Sequence, residues 1–154
     1  MGKIFNYYSN DIDRTWYQSS NVKFSECIDK ENELKTLRVV FNNGSQYEYT
    51  GVDVNQYLLF REDTSQGKAL NKYIKGNNYE YKRLDNADVA ALDEELSFRT
   101  NNGIFIINTD DSFVIKDNKD NEVYRLDKQL DDDTFNLVCD ILKSLNLNIK
   151  EVKG

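Results

Sequence analysis

The sequence predicts an α+β fold made of two small antiparallel sheet-plus-helix units packed together. Three observations carry this reading. Short runs of alternating apolar and polar residues recur in both halves, each set followed by a capped helical pattern. The 154-residue chain has no proline, so its turns must rest on Gly, Asn and Asp. Charge is also unevenly placed. Residues 1–19 carry two bases and two acids, residues 20–84 ten bases and nine acids, and residues 85–154 eight bases and sixteen acids. That asymmetry points to different partners for the two halves. The expected division is an N-terminal arm at 1–18, a β-β-β-α-α-β domain at 19–84 and an acidic α-β-β-β-α unit at 85–154.

Residues 22–28 alternate apolar and polar and read as a half-buried strand, with a polar turn from Asp29 to Glu33. Leu34 to Phe41 and Ser45 to Thr50 are the second and third strands around Asn42-Asn43-Gly44. Loop length decides where the tyrosines of the third strand point. A two-residue Asn43-Gly44 turn would pair Val40 with Tyr47. A three-residue loop with Gly44 in the left-handed region pairs Phe41 with Ser45, Val39 with Tyr47 and Leu37 with Tyr49. Only the second register gathers the apolar residues on one face, so burial selects it and makes Tyr47 and Tyr49 core rings.

Asp53 caps a helix running to Arg61, and Ser65 a second one from Gln66 to Lys75 with Gly76 as its C-cap. On that second helix Lys68, Lys72 and Lys75 fall at i, i+4 and i+7, a basic stripe, with Leu70, Tyr73 and Ile74 on another face. Tyr79 to Leu84 reads as a short extended segment. Asp88 to Phe98 is weakly helical and Asn101-Asn102-Gly103 breaks it. Gly103 to Asn108, Ser112 to Lys116 and Glu122 to Leu126 read as strands, with a polar turn at Asp117 to Asn121. Asp131 opens a helix to Asn146 whose core stripe is Phe135, Leu137, Val138, Ile141, Leu142 and Leu145.

Composition excludes whole classes of chemistry. Without histidine there is no Ser-His-Asp or Cys-His machinery and no histidine-held zinc. Cys27 and Cys139 lack paired spacing and read as buried thiols. Asp117 to Glu122 lacks the spacing and central glycine of a calcium loop. No catalytic residue, metal site or cofactor is expected. No apolar run approaches the length of a membrane span, and the N-terminus lacks a signal-peptide pattern, so a cytoplasmic protein is expected.

One stretch stands out. Residues 68–84 hold five cations against one acid, Glu80, on a chain of net charge -7. Cations interleaved with aromatic rings suit phosphates and bases. The expected RNA-binding residues are Lys68, Asn71, Lys72, Lys75, Tyr79, Tyr81, Lys82 and Arg83. A protein interface is expected at Arg14, Trp16 and Tyr17, a residue trio favoured at binding hot spots, and at Asp131, Asp132 and Asp133. Each group also has a plain structural reading, as a solvated helix face, a packing anchor and a helix N-terminus.

Residues 19–84 resemble the KTSC domain family, a short module named for its place at the C-terminus of some lysyl-tRNA synthetases. Ser20-Asn21-Val22, Leu37-x-Val39-x-Phe41, Asn43-Gly44-Ser45-x-Tyr47-x-Tyr49, Tyr57, Ser65-x-Gly67, Asn71-x-x-Ile74 and Tyr79-x-Tyr81-x-x-Leu84 carry the resemblance in order. Asp53 stands where the family usually has proline, and Ala69-Leu70 where it often has aromatics. The resemblance implies RNA binding, with tRNA or its fragments as the expected RNA; no synthetase activity transfers. A KTSC-like core with acidic additions also looks like a phage accessory protein of the anti-CRISPR kind, acting on a host protein or ribonucleoprotein in the bacterial cytoplasm. The alternatives are a protein–protein inhibitor or scaffold without nucleic acid, and a protein that sequesters a nucleotide signal.

Overall fold

The computed structural model describes residues 1–29 and 34–153, so the expected turn at Asp29 to Glu33 lies, after its first residue, outside the described residues. The chain divides into two compact units, Met1–Asp93 and Glu94–Gly154. Both combine a mainly antiparallel sheet with helices, which makes the fold α+β. Among the described residues no helix is long and apolar enough to cross a membrane.

In the first unit β1 (Gly2–Ser9), β2 (Ile12–Gln18), β3 (Val22–Ile28), β4 (Leu34–Phe41), β5 (Gln46–Asp53) and β6 (Glu80–Leu84) form one six-stranded antiparallel sheet in chain order. Residues 1–18, expected as an arm, are its first two strands. Their hairpin turns on Asn10 and Asp11, with φ of 52° and 62° between the paired Ser9 and Ile12. Two successive left-handed residues match the right-handed twist of the flanking strands, and Asn and Asp tolerate that conformation best after glycine.

The β4–β5 hairpin has the three-residue loop. Leu37 pairs with Tyr49 and Val39 with Tyr47, while Phe41 N donates to Ser45 O at 2.8 Å. Gly44 takes a φ of 91°, and a Cβ there would stand 3.1 Å from the Ala87 carbonyl oxygen, so a side chain would meet both strain and crowding.

α1 (Val54–Glu62) begins where the Asp53 carboxylate accepts from Asn55 N and Gln56 N at 2.9 and 3.3 Å. The single helix expected from Gln66 to Lys75 is not continuous. α2 (Gln66–Ala69) gives way to a π turn over Leu70–Ile74 and a 3₁₀ turn over Lys75–Asn77. Ser65 holds the N-cap position without a side-chain cap bond, and Asn78, at φ 54°, ends the segment in place of Gly76. Ala69, Leu70 and Ile74 are all buried beside Val39, Val52, Tyr57 and Phe60. Core contact thus outweighs regular α spacing here. The wider turn breaks the i, i+4, i+7 relation on which the lysine stripe rested.

The sheet is covered on its other face too. Trp16 has no exposed surface: its ring lies 4.7 Å from Phe24 and near Phe5 and Tyr7, and its Nε1 donates to Leu92 O at 3.0 Å. Tyr17, one residue on, points to the opposite face, where its hydroxyl bonds Ser25 Oγ at 2.7 Å beside Phe60. Neither ring is available to a partner, which corrects the expected interface at Trp16 and Tyr17. Arg14 is half-buried and donates to Glu26 at 2.8 Å, and Arg38 binds the same carboxylate at 3.0 Å.

α3 (Val89–Thr100) contains the division between the units. In the second unit β7 (Gly103–Asn108), β8 (Phe113–Lys116), β9 (Glu122–Leu126) and β10 (Asn148–Lys153) form a sheet in the order β10-β7-β8-β9. β10 was not expected from the sequence and pairs parallel to β7, so this sheet is mixed. α4 (Asp132–Ser144) is capped by Asp131, whose carboxylate accepts from Thr134 N at 2.8 Å. Asp132 and Asp133 lie exposed in its first turn, where negative charge is favoured. α4 buries Phe135 and Cys139 against Ile106 and Phe113, with Val138 and Leu142 alongside. Leu137, Ile141 and Leu145 are more than half exposed, so the expected six-residue core stripe is too wide. Leu137 follows Phe135 by about 200° of helix rotation and cannot share its face.

Both thiols are free and buried, as expected. Burial pushes Cys27 up to about 12 and Cys139 up to about 11, so neither has nucleophilic character near neutral pH.

Candidate nucleic-acid interface

A cleft of about 670 Å³ opens on the core-side face of the first unit's sheet, at its β5–β6 edge. It exists because the helical layer stops short. Asn78 turns the chain from the 3₁₀ segment into β6, leaving the last two strands partly uncovered. Alternation along the strands then decides which side chains reach it. Tyr47 and Tyr49 of β5 share that face with Tyr81, which pairs with Tyr49, and with Arg83, which pairs with Tyr47. Lys82, paired with Glu48, falls on the opposite face.

Five aromatic rings line the cleft: Phe41, Tyr47, Tyr49, Tyr79 and Tyr81. Phe41 and Tyr47 meet nearly edge-on at 6.0 Å, and Tyr81 stands 6.2 Å from Tyr47 and 5.9 Å from Tyr49. Tyr49 is buried and Tyr81 is 68% exposed, so the rings step from core to solvent. The Tyr79 hydroxyl accepts from Asp53 N at 3.2 Å, which ties the cleft floor to the start of α1.

The opposite wall is polar: Ser20, Asn21, Asn42, Asn43 and Ser45. Asn42 donates to Ser19 O at 2.9 Å, and the Asn43 Oδ1 accepts from Ser45 N and Ser45 Oγ at 3.0 and 2.7 Å. Asn21 is wedged beside Gly67, where a Cβ would come within 2.8 Å of the Asn21 amide nitrogen. Among the described residues Lys75 is the cation that lines the cleft, and no carboxylate lines it.

Residues 28–79 match the KTSC domain family. No curated protein matches the chain. The KTSC match covers about a third of the sequence, from the end of β3 to the residue before β6. It includes Phe41, Tyr47, Tyr49, Lys75 and Tyr79 of the cleft, while Ser20, Asn21 and Tyr81 come from the flanks.

Of the eight residues expected to bind RNA, Lys75, Tyr79 and Tyr81 line the cleft and Arg83 shares its face. Lys68, Asn71, Lys72 and Lys82 are exposed elsewhere on the surface, Lys72 with its Nζ over the Tyr73 ring at 5.1 Å. The sequence reading did not assign a binding role to Phe41, Tyr47 or Tyr49, or to the asparagines of the far wall. The Asn42-Asn43-Gly44 loop was legible as a turn. That its amides would face a row of tyrosines follows from the way the sheet is covered, which local pattern does not carry.

Proposed function

We propose that the first unit is a non-catalytic RNA-binding module and that its KTSC cleft is the contact surface. The observation that carries the reading is the combination of exposed aromatic rings, carboxamides and Lys75 in one cleft. Rings stack on bases, amides pair with base edges, and an ammonium neutralises a phosphate. Cleavage is not proposed, because among the described residues the lining offers neither a carboxylate nor an imidazole as a proton acceptor. tRNA is the RNA that the family resemblance favours.

The test is direct. Protein purified from bacteria is examined for co-purifying RNA and then titrated into tRNA at low salt. An RNA-free preparation that fails to shift tRNA would sink the reading. Lys75→Glu should weaken binding about tenfold at 50 mM salt, since it removes one contact and adds a repulsion. The double variant Lys68→Glu/Lys72→Glu should stay within about threefold of wild type, because those side chains lie outside the cleft.

The second unit favours a further reading. Leu137, Ile141 and Leu145 form an exposed apolar ridge on α4 next to Asp133 and Asp140, and residues 94–154 carry thirteen acids against eight bases. Such a surface suits a basic amphipathic helix of a protein partner. A host ribonucleoprotein such as a CRISPR effector is the partner proposed, which would make the chain a phage-type inhibitor of host defence. Cleavage by a reconstituted effector should be inhibited by the wild type and not by Leu137→Ser/Ile141→Ser. Equal inhibition by both would remove the ridge from the account.

A further inference from the structure

The cleft specifies what kind of RNA enters. We propose that it takes unpaired nucleobases of a single strand, held by stacking and base-edge contacts with one or two phosphates neutralised, and that it rejects duplex. This rests on the RNA-binding reading above and narrows it.

Size comes first. About 670 Å³ is the scale of a small-molecule site, which admits one or two splayed bases with their sugars and not a length of duplex. Duplex RNA offers side chains a shallow minor groove and a phosphate ridge. Base edges and faces become available only in loops, bulges and ends.

The rings provide the second argument. Tyr81 and Tyr47 lie 6.2 Å apart at 62° to each other, so they make a corner and not a flat platform. A base stacked on Tyr81 meets the Tyr47 ring from the side, an arrangement that fits one or two bases. The Tyr47 and Tyr81 hydroxyls and the amides of Asn21 and Asn78 make no hydrogen bond among the described residues, while Asn42, Asn43 and Ser45 of the polar wall are tied into the fold. Free amides and phenols both donate and accept, as a base edge does.

Charge decides between cleft and lysine-rich surface. Lys75 lines the cleft and Arg83 shares its face, so one or two phosphates are neutralised. For a single strand, affinity should then fall with salt at a log–log slope of about -0.7 to -1.4. Binding through all five cations of residues 68–84 would give a slope near -3.5 on a single strand and about -4.5 on a duplex. A free nucleotide with several phosphates would likewise find too few cations.

The experiment is fluorescence anisotropy on the full chain between 50 and 200 mM salt. The probes are an unstructured ten-nucleotide RNA, a duplex of the same composition, and competing AMP and UMP. The expected result is preference for the single strand, the shallow slope, competition by mononucleotides only at millimolar levels, and loss of at least tenfold in Tyr81→Ala. Tyr81 is exposed enough that the alanine variant should fold. Equal binding of duplex, a slope near -3.5 or steeper, micromolar competition by a mononucleotide, or an unchanged Tyr81→Ala would each overturn the proposal and leave general RNA binding standing. Failure to bind either RNA would overturn both.

Discussion

Replacing Trp16 by alanine should destabilise the first unit by about 3–5 kcal/mol, the range for emptying a buried aromatic site. The ring is wholly enclosed among Phe5, Tyr7 and Phe24, on a face formed by β1, β2 and β3. Its loss removes several ring contacts at once, and three strands cannot all move inward to fill the hole. The Leu92 carbonyl would also lose its donor. Trp16→Phe should cost less, because a phenyl ring keeps most of the contact and forfeits the hydrogen bond. Urea denaturation followed by far-UV circular dichroism measures both. A cost below about 1 kcal/mol for the alanine variant, with impaired partner binding, would restore Trp16 to an interface.

That outcome bears on how much of this molecule its sequence discloses. The β4–β5 register was legible because burial and a glycine loop agree: only one pairing places Leu37, Val39, Tyr47 and Tyr49 together, and Gly44 supplies the conformation that pairing needs. The Asp53 and Asp131 caps were legible for the same local reason. Trp16 and Tyr17 show the limit. Adjacent aromatics beside an arginine resemble a hot spot until the strand is known to be covered on both faces, and that coverage comes from Phe60 on one side and the segment around Leu92 on the other. The π turn was hidden because helical spacing in Lys68, Lys72 and Lys75 is a pattern, whereas the burial of Leu70 and Ile74 is a tertiary demand. β10 was hidden because its alternation is diluted by Lys150, Glu151 and Lys153, and its partner β7 is more than 40 residues away.

Asp13→Ala tests whether the first hairpin supports the segment that matches the KTSC family. Asp13 lies on β2, outside the matched residues 28–79, and is almost fully buried. Its carboxylate accepts from Asn6 Nδ2 at 2.8 Å, from Arg61 Nη1 at 2.9 Å and from the Tyr57 hydroxyl. Tyr57 and Arg61 belong to α1, within the matched segment. Burial, with the nearby Tyr17 and the Asp13 carboxylate adding to it, raises the Tyr57 hydroxyl well above its usual range and keeps it a neutral donor. Alanine would strand the buried Tyr57 donor and leave one arm of the part-buried Arg61 guanidinium without its carboxylate. Breaking a buried ion pair costs about 3–5 kcal/mol, and Arg61 retains Glu62 at 2.9 Å, so about 3 kcal/mol is expected. Asp13→Asn, which keeps an acceptor and loses the charge, should fall between. Trp16 is the chain's one tryptophan and sits three residues along β2, so its emission during urea unfolding reports this unit directly. If Asp13→Ala unfolds within about 1 kcal/mol of wild type, the carboxylate adds little to the unit's stability. If it unfolds as expected, β2 is part of what stabilises the segment that matches the KTSC family, because that segment alone lacks the acceptor for Tyr57 and Arg61.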